Sequence, residues 1–550
     1  MFFRRFSALL ICTSLAAHVG AALFSDPSST VVKLSYGSFE GKTTGNLIEF
    51  FGIPFAAPPV GDLRFAPPAK PKPFKGVRQA TAFAPACPQQ IFDLDIPGLV
   101  VPENVSEDCL YLNVIKPAII PPGKKLPVLF YIYGGGFEVG DTSQIVGDTL
   151  VNRSIALGEP IVYVTASYRI NAFGFLGGKE VKDAGIANAG LLDQRFALEW
   201  VQKYVSSFGG DANQVTIWGI SAGGISVGLQ MLLNDGNTQG LFHRASMGSG
   251  SPGVLPNVLK QQEYFDSLVA DTNCTTAPNR LKCLRDAPFD DLMKAINRTP
   301  NLFSFQSVRI AWQPMVDGKT IVRDPQISLQ LGKFAKIPTI AGTSEDEGTI
   351  FSLSTTNLTT NTQFLDYAKS NFFPRISDSD LKALETLYPD DITQGSPFNT
   401  GTENAITPQF KRLSSLQGDL VFQSPRRTFS QIASKTQPVY GYRFKRAGPA
   451  PLGSLHGGDL TEWIGNTAGL IGADAIIYFT RTGNPNAPKN SISLLKDAKW
   501  PLYDSSVQNP PLFTFVDPLP SVNITFDTDR IEPMKLISKL SFNEIGNRGV

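Results

Sequence analysis

The sequence contains little histidine, little cysteine and almost no net charge. Of its 550 residues only 3 are His and 5 are Cys, and 49 Lys+Arg stand against 48 Asp+Glu. Because there is neither a basic excess nor a run of Lys and Arg to neutralise phosphates, no nucleic-acid partner is expected. With 42% hydrophobic and 18% charged residues, the chain is neither disordered nor fibrous and can bury a large core.

Beyond its first residues the sequence lacks an apolar run of the roughly 18 uncharged residues that a membrane span requires. Residues 1–22 are typical of a signal peptide: Arg4 and Arg5 precede the apolar stretch 6–15, and small residues follow it. We therefore expect a secreted, extracellular protein with no stable membrane insertion. Without an internal repeat or a low-complexity linker, residues 23–550 are expected to form one domain.

The cysteines indicate disulfides. Cys12 lies in the predicted signal peptide, and an even number of cysteines in a secreted chain is typical of paired thiols. Spacing favours Cys87–Cys109 and Cys274–Cys283, although sequence alone leaves the other pairings open. Asn-x-Ser/Thr sequons predict glycosylation at Asn104, Asn152, Asn273, Asn297, Asn357 and Asn523.

Short apolar runs alternate with helical patterns along the chain. The predicted strands are 126–133, 160–167, 215–218, 337–341 and 439–444, and the predicted helices are 191–204 and 225–233. Strands that alternate with helices predict an α/β fold with a large, mostly parallel central sheet and helices on both faces.

A candidate nucleophile lies between one of these strands and the helix that follows. Gly219–Gly223 fits the pattern G-x-S-x-G, with Ser221 at its centre. The pattern alone also describes an ordinary Gly-Ser turn, but its position after strand 215–218 favours a nucleophile on a tight strand-to-helix turn. Glycines two residues before and after the serine would prevent crowding of the backbone.

A glycine run and a histidine complete a possible catalytic set. Gly134–Gly136 follow strand 126–133, and two of their backbone amides together with that of Ala222 would form an oxyanion hole. His456 lies in a Gly-rich loop after strand 439–444, where open α/β sheets place their sites, and is the candidate base. The candidate acid follows strand 337–341, but the residues do not distinguish Glu345, Asp346 and Glu347.

Six sequence blocks between about residue 50 and residue 224 have a common family pattern. They are 51–56 (FGIPFA), 58–65 (PPVGDLRF), 107–114 (EDCLYLNV), 190–194 (GLLDQ), 208–211 (FGGD) and 215–224 (VTIWGISAGG). Together these blocks resemble the type-B carboxylesterase/lipase family, the cholinesterase-like branch of the α/β hydrolases, and in particular its fungal secreted lipases and sterol esterases. The resemblance runs from about residue 30 to beyond residue 460.

The resemblance implies an α/β-hydrolase fold for residues 23–550 and a serine carboxylic ester hydrolase that needs no metal or cofactor. It implies Ser221 as nucleophile, His456 as base and Glu347 as acid. The implied oxyanion-hole residues are Gly135, Gly136 and Ala222; the implied supporting residues are Asp459 and Ser249 beside the triad and the ion pair Arg64–Glu107.

Two positions depart from the family's pattern. Ile220 stands where the family usually has Glu, which removes a carboxylate near the histidine but no triad member, and Tyr133 stands before the glycines. The loop between the first two cysteines is short. Its apolar stretch 91–101 leaves open whether residues 88–108 form a working lid or a packed loop.

The substrate expected from the sequence is a small-molecule or lipid ester. The high Phe content favours apolar esters of the lipase or sterol-esterase type, for which transient contact with a lipid interface is expected. The short loop favours short-chain or feruloyl-type esters instead, and a non-catalytic binding protein on the same fold is a rival of another class. Core packing is the favoured explanation for any single Phe, and the candidate acyl-pocket residues are Phe303, Phe305, Phe351, Phe372 and Phe373.

Overall fold

A computed structural model describes residues 29–92, 101–465 and 470–546. The predicted signal peptide, residues 1–22, lies outside the described residues. Residues 93–100, most of the apolar stretch in the first disulfide loop, also lie outside them, so the structure does not decide between a lid and a packed loop.

The described chain contains strands and helices in alternation. The strands are β1 (Val31–Leu34), β2 (Gly37–Glu40), β3 (Lys42–Thr44), β4 (Leu47–Pro54), β5 (Val77–Gln79), β6 (Tyr111–Pro117), β7 (Leu126–Ile132), β8 (Val162–Ala166), β9 (Gly210–Ile220), β10 (Arg244–Gly248), β11 (Thr339–Ser344), β12 (Val439–Phe444), β13 (Pro511–Phe515) and β14 (Val522–Phe526). The α-helices are α1 (Asp148–Ala156), α2 (Asn171–Phe175), α3 (Lys179–Ala184), α4 (Ala189–Tyr204), α5 (Ala222–Leu232), α6 (Gln262–Asp271), α7 (Arg280–Asp286), α8 (Phe289–Asn297), α9 (Pro325–Gln330), α10 (Asn361–Tyr367), α11 (Asp378–Leu387), α12 (Phe410–Gly418), α13 (Ser424–Ala433), α14 (Leu460–Trp463), α15 (Ile471–Thr482) and α16 (Ile531–Gly546).

Eleven of the described strands form one sheet, in the order β14-β13-β12-β11-β10-β9-β7-β8-β6-β4-β3. The consecutive strands from β13 to β8 in this order are parallel to one another, and antiparallel pairs occur only towards the two ends of the sheet. The α/β fold with a large, mostly parallel sheet is thereby confirmed. A separate sheet of three short strands has the order β1-β2-β5.

Four of the parallel strands are buried along their whole length, as expected for strands covered on both faces. Every residue of β7, β8, β11 and β12 is buried, and each of these strands is rich in apolar or β-branched residues. Helices supply the cover: α5 packs against β9 and β10, α13 against β11 and β12, and α15 against β7 and β9. The core therefore holds the carboxyl ends of the central strands in fixed positions.

Two disulfides and an ion pair fix loops outside the sheet. Cys87–Cys109 and Cys274–Cys283 both form, which confirms the pairing that spacing favours. Arg64 makes a bidentate pair with Glu107, through contacts of 2.5 and 2.7 Å. In the part of the chain that the structure describes, no helix is long and apolar enough to cross a membrane.

Candidate active site

The predicted catalytic residues lie beyond the carboxyl ends of neighbouring strands. Strands β9, β10, β11 and β12 are adjacent and parallel, so their carboxyl ends meet at the same edge of the sheet. Ser221 follows β9, Glu347 follows β11 and His456 follows β12. The fold thus brings together residues that are up to 235 positions apart in sequence.

Ser221 lies on a tight turn between β9 and α5. Its backbone has φ 60° and ψ −130°, a combination that L residues rarely adopt. A Cβ atom added to Gly219 would lie 2.4 Å from the backbone of Gly223, so only glycine permits this turn. The turn places the serine at the N-terminus of α5, where backbone N–H groups favour negative charge.

Hydrogen bonds connect the three candidate catalytic side chains. The Nε2 atom of His456 lies 2.7 Å from Ser221 Oγ, and its Nδ1 atom lies 2.5 Å from Glu347 Oε2. The other carboxylate oxygen, Glu347 Oε1, accepts the backbone N–H of Ser344 at 2.7 Å. This nucleophile, base and acid arrangement is the geometry that nucleophilic acyl transfer requires.

The two neighbouring carboxylates have other partners. Glu345 forms ion pairs with Lys445 at 3.3 Å and Arg443 at 3.5 Å. Asp346 accepts hydrogen bonds from Ser454 N, two residues before His456, and from Ser396 Oγ and Phe398 N. Asp346 therefore positions the histidine loop, and Glu347 is the member of this acidic run that contacts the imidazole.

The candidate oxyanion loop lies directly beside the nucleophile turn. A Cβ atom added to Gly134 would lie 2.6 Å from Ile220 O and 3.0 Å from Ser221 Cβ. Gly135 has φ 108°, a conformation that favours glycine. Within the described residues, the N–H groups of Gly135 and Gly136 donate to no protein acceptor, which leaves them available to a ligand oxygen.

The supporting residues proposed from the sequence are both buried close to the triad. Ser249 follows β10, and its N–H donates to Gly342 O at 2.9 Å, while its hydroxyl has no partner among the described residues. Asp459 Oδ2 accepts the hydroxyl of Tyr442 at 2.5 Å and Trp463 Nε1 at 3.3 Å. Burial raises the pKa of the Asp459 carboxyl to about 6, against the opposing effect of the Tyr442 hydrogen bond.

Ile220 takes part in the packing around that carboxyl. The side chain is almost fully buried, and a Cβ atom added to Gly248 would lie 3.0 Å from Ile220 Cγ1 and 3.4 Å from Asp459 Oδ2. An apolar residue here contributes no compensating charge or hydrogen bond to Asp459. Asp459 is thus a buried acid beside the candidate triad, and its neighbour Ile220 is apolar where the family's pattern has a second carboxylate.

Two phenylalanines hold the imidazole in place. The ring centroid of Phe422 lies 4.5 Å from that of His456, and that of Phe351 lies 5.1 Å away. Phe422 belongs to a π-helical turn, Asp419–Gln423, a feature that recurs at functional sites. Phe351 is one of the acyl-pocket candidates, whereas Phe422 could not be predicted, because no local pattern relates residue 422 to a loop at residue 456.

The other phenylalanine candidates lie at three different places. Phe303 packs against Phe351 near the histidine, whereas Phe305 is 46% exposed and packs against Tyr367. Phe372 and Phe373 line a cavity of about 680 Å³. The apolar residues that line this cavity include Phe137, Ile225, Val254, Leu255, Val308 and Val421.

Five of the six sequon asparagines are exposed. Asn297 is the exception: it is partly buried, and its Oδ1 atom accepts the N–H of Ile91 at 3.0 Å. The exposed members are Asn104, Asn152, Asn273, Asn357 and Asn523.

Known structures share this architecture. The crystal structure of Aspergillus niger EstA matches 94% of this chain and 99% of its own chain, with a TM-score of 0.80 and 26% sequence identity. The structure of PNB esterase matches 92% of this chain and 99% of its own, with a TM-score of 0.73 and 28% identity. The fold is therefore the α/β-hydrolase fold.

Sequence comparison gives the family. The chain is 40% identical over 485 residues to Secreted lipase 1 of Botryotinia fuckeliana (strain B05.10), which covers 84% of each sequence. It is 38% identical over 487 residues to Lipase 4 of Diutina rugosa, covering 84% of this chain and 87% of the relative. The model of the carboxylesterase family matches residues 28–517. This chain therefore belongs to the carboxylesterase family and is a carboxylic ester hydrolase.

Proposed function

We propose that the protein is a secreted serine esterase of lipase type, which cleaves apolar esters through the triad Ser221–His456–Glu347 and an acyl-enzyme. The observation that carries the proposal is the continuous hydrogen-bond chain from Ser221 Oγ through the imidazole to Glu347 Oε2, at 2.7 and 2.5 Å. Free N–H groups of the glycine loop lie beside the same serine.

In the first half of the reaction, Ser221 Oγ attacks the ester carbonyl carbon and His456 Nε2 takes the hydroxyl proton. Glu347 accepts the Nδ1–H hydrogen bond, which fixes the tautomer and stabilises the imidazolium. The carbonyl oxygen becomes an oxyanion held by the N–H groups of Gly135, Gly136 and Ala222. The ester C–O bond then breaks, and His456 gives its proton to the departing alcohol.

In the second half, water replaces the alcohol. His456 removes a proton from the water, whose oxygen attacks the acyl carbon of the acyl-enzyme. The bond to Ser221 Oγ breaks as the imidazolium returns the proton to the serine. The carboxylic acid leaves and the free enzyme is restored, so that the protein's own residues balance every proton.

Secretion is supported by three independent features. The N-terminal residues 1–22 have the pattern of a signal peptide. The structure contains two disulfides, and disulfides form and persist in oxidising compartments such as the extracellular space. Relatives are named secreted lipases, among them Secreted lipase 1. We expect the exposed sequons to carry glycans in the secreted protein.

The cavity of about 680 Å³ supports long apolar acyl chains as substrates. It comes within one helical turn of the nucleophile at Ile225, whose N–H donates to Ser221 O at 2.9 Å, and it is lined next to the oxyanion glycines by Phe137. Its volume lies within the range of pockets that enclose drug-sized ligands, and its lining is mainly apolar. Relatives of this chain are named lipases, which agrees with a pocket of this size.

We expect kcat/KM for p-nitrophenyl esters to rise with acyl length from C2 and to reach its maximum at C8 or longer. Burial of each methylene contributes about 0.8 kcal/mol, so four more methylenes raise kcat/KM by up to about 10²-fold. A maximum at C2 to C4 with a decline beyond it would contradict the lipase-type assignment and favour a short-chain or feruloyl-type esterase.

A variant that fills the cavity tests its role. Ile225→Trp narrows the cavity next to the nucleophile, and we expect it to lower kcat/KM for C8 and longer esters at least tenfold while C2 and C4 esters change less than about threefold. The control is Leu259→Trp at the rim, where the side chain is 46% exposed. Equal losses for all chain lengths in the Ile225 variant would show that the acyl chain lies elsewhere.

A further inference from the structure

A fully buried carboxyl group follows the oxyanion loop and has no place in the mechanism above. The side chain of Glu138 is 0% exposed. Its Oε2 atom accepts the backbone N–H of Leu302 at 3.0 Å, and its Oε1 atom has no partner among the described residues. A buried carboxylate without a cation or a full set of donors is strongly unfavourable, so this group needs an explanation.

The hydrogen bond to Leu302 connects the oxyanion loop to the opposite wall of the site. The Leu302 side chain lies against Gly136, where an added Cβ atom would be 2.1 Å from Leu302 Cδ1. The next residue, Phe303, packs against Phe351, which contacts the ring of His456. A shift of this segment would therefore move groups at both the oxyanion hole and the base.

The main chain of the same loop is held from another side by two glutamines. Gln90 N donates to Glu138 O at 2.9 Å. The side-chain amide of Gln89 exchanges hydrogen bonds with Gly140, at 2.6 and 3.1 Å. With its backbone fixed in this way, the Glu138 side chain is the group that joins the loop to Leu302.

The surroundings of the carboxyl group favour its neutral form. Burial raises the pKa of Glu138 well above its ordinary value, and the hydrogen bond from the Leu302 N–H offsets this rise only in part. Charged side chains on the neighbouring segments are engaged elsewhere: Arg169 pairs with Asp193 at 2.7 Å, and Arg298 pairs with Asp271 at 2.9 Å. On the loop itself, Asp141 accepts hydrogen bonds from Ser143.

We propose that Glu138 is a positioning residue that works as a protonated carboxylic acid: while neutral it accepts the Leu302 N–H in a buried site and joins the oxyanion loop to Leu302, whereas ionisation places a buried charge there with a single donor, so that the loop loosens to let water reach the charge. The proposal rests on the function proposed above, because it assigns the loop a catalytic role. The group has no contact with the triad itself and acts through the position of Gly136 and the 302–303 segment.

The sign of the pH effect follows from the direction of the pKa shift. A carboxyl group whose folded-state pKa is raised contributes stability that is fully present below its unfolded pKa of 4.5 and is lost as pH rises towards the folded pKa. Glu138→Gln keeps an oxygen acceptor for the Leu302 N–H and cannot ionise. We therefore expect the melting temperature of this variant to exceed that of the wild type by an amount that grows as pH rises above 4.5.

The pH dependence of activity should change in the same direction as the pH dependence of stability. We expect Glu138→Gln to keep kcat/KM within about threefold of wild type at neutral pH and to extend the alkaline limb of the pH profile to higher pH. Glu138→Ala removes the acceptor and leaves the Leu302 N–H unpaired, so kcat should fall at least about fivefold below that of the wild type at neutral pH, where wild-type Glu138 still joins the loop to Leu302. Glu103→Gln, at an exposed position, is the matched control and should change neither profile.

The experiment measures melting temperature and p-nitrophenyl butyrate hydrolysis from pH 5 to 10 in the full chain, with Ser221→Ala as the blank for uncatalysed hydrolysis. Identical pH profiles of wild type and Glu138→Gln would overturn the proposal. If Glu138→Gln does not fold, Glu138→Met takes its place. A slope of melting temperature against pH that equals the wild-type slope would then overturn the proposal. Hydrolysis by Ser221→Ala would refute the proposed function instead, and the melting profiles would still test Glu138.

Discussion

Ser221→Ala is expected to lower kcat/KM for p-nitrophenyl esters by about 10⁴- to 10⁶-fold, the range found when a serine hydrolase loses its nucleophile. The change removes one oxygen atom, whose partner in the structure is His456 Nε2 at 2.7 Å. The turn itself depends on Gly219 and Gly223 and on the hydrogen bond from Ser221 N to Gly248 O, all of which the variant keeps. Melting temperature should therefore change little.

Covalent labelling separates this assignment from a non-catalytic binding protein. A p-nitrophenyl phosphonate should lose p-nitrophenol as Ser221 Oγ bonds to phosphorus, and intact mass should show one adduct in the wild type and none in Ser221→Ala. Ser249→Ala is the matched control, since the Ser249 hydroxyl has no hydrogen-bond partner among the described residues. Labelling of the Ser221 variant would refute the nucleophile, and an unlabelled wild type would favour the binding protein.

Long apolar runs made the centre of the sheet predictable from sequence. The run 126–133 corresponds to β7 (Leu126–Ile132), and 439–444 corresponds to β12 (Val439–Phe444). Continuous apolar runs are typical of strands that are covered on both faces of a parallel sheet. The apolar sequence of these two strands therefore agrees with their buried position. By contrast β9 begins at Gly210, earlier than residue 215, because polar residues precede its apolar end.

The edges of the sheet were less visible in the sequence. Strands such as β3 (Lys42–Thr44) and β14 (Val522–Phe526) are short and largely exposed, and they pair through contacts that no local pattern encodes. The partners of Phe422 and Glu138 are hidden for the same reason. Their roles depend on His456 and Leu302, which lie at distant positions in the sequence.

Candidate catalytic residues were visible because their chemistry restricts them to few residue types and positions. Only His18, His243 and His456 were available as bases, and Ser221 was marked by its flanking glycines. The candidate acid could not be chosen from residue type and position in this way. Three adjacent carboxylates have the same chemistry, and the choice among them depends on how the loop after β11 turns, for which the sequence offered only a family resemblance.

Glu347→Gln is expected to lower kcat by about 10⁴-fold, the effect of replacing a triad carboxylate by its amide. The structure gives the reason in terms of two oxygens with different partners. Glu347 Oε1 accepts the N–H of Ser344 at 2.7 Å, so the single carbonyl oxygen of glutamine keeps that contact. The amide NH₂ must then face His456 Nδ1, which turns this nitrogen into an acceptor and places the ring proton on Nε2.

With its proton on Nε2, the imidazole donates to Ser221 Oγ and has no lone pair there to take the hydroxyl proton. Binding should survive, so KM should change far less than kcat. Glu345→Gln is the matched control, because that carboxylate pairs with Lys445 and Arg443 instead of the imidazole, and its kcat should stay within about threefold of wild type. A large loss in the Glu345 variant with a small one in the Glu347 variant would move the acid to Glu345. Because the same substitution is made two residues apart on one loop, local disturbance affects both variants, and the difference between them measures the contact with His456.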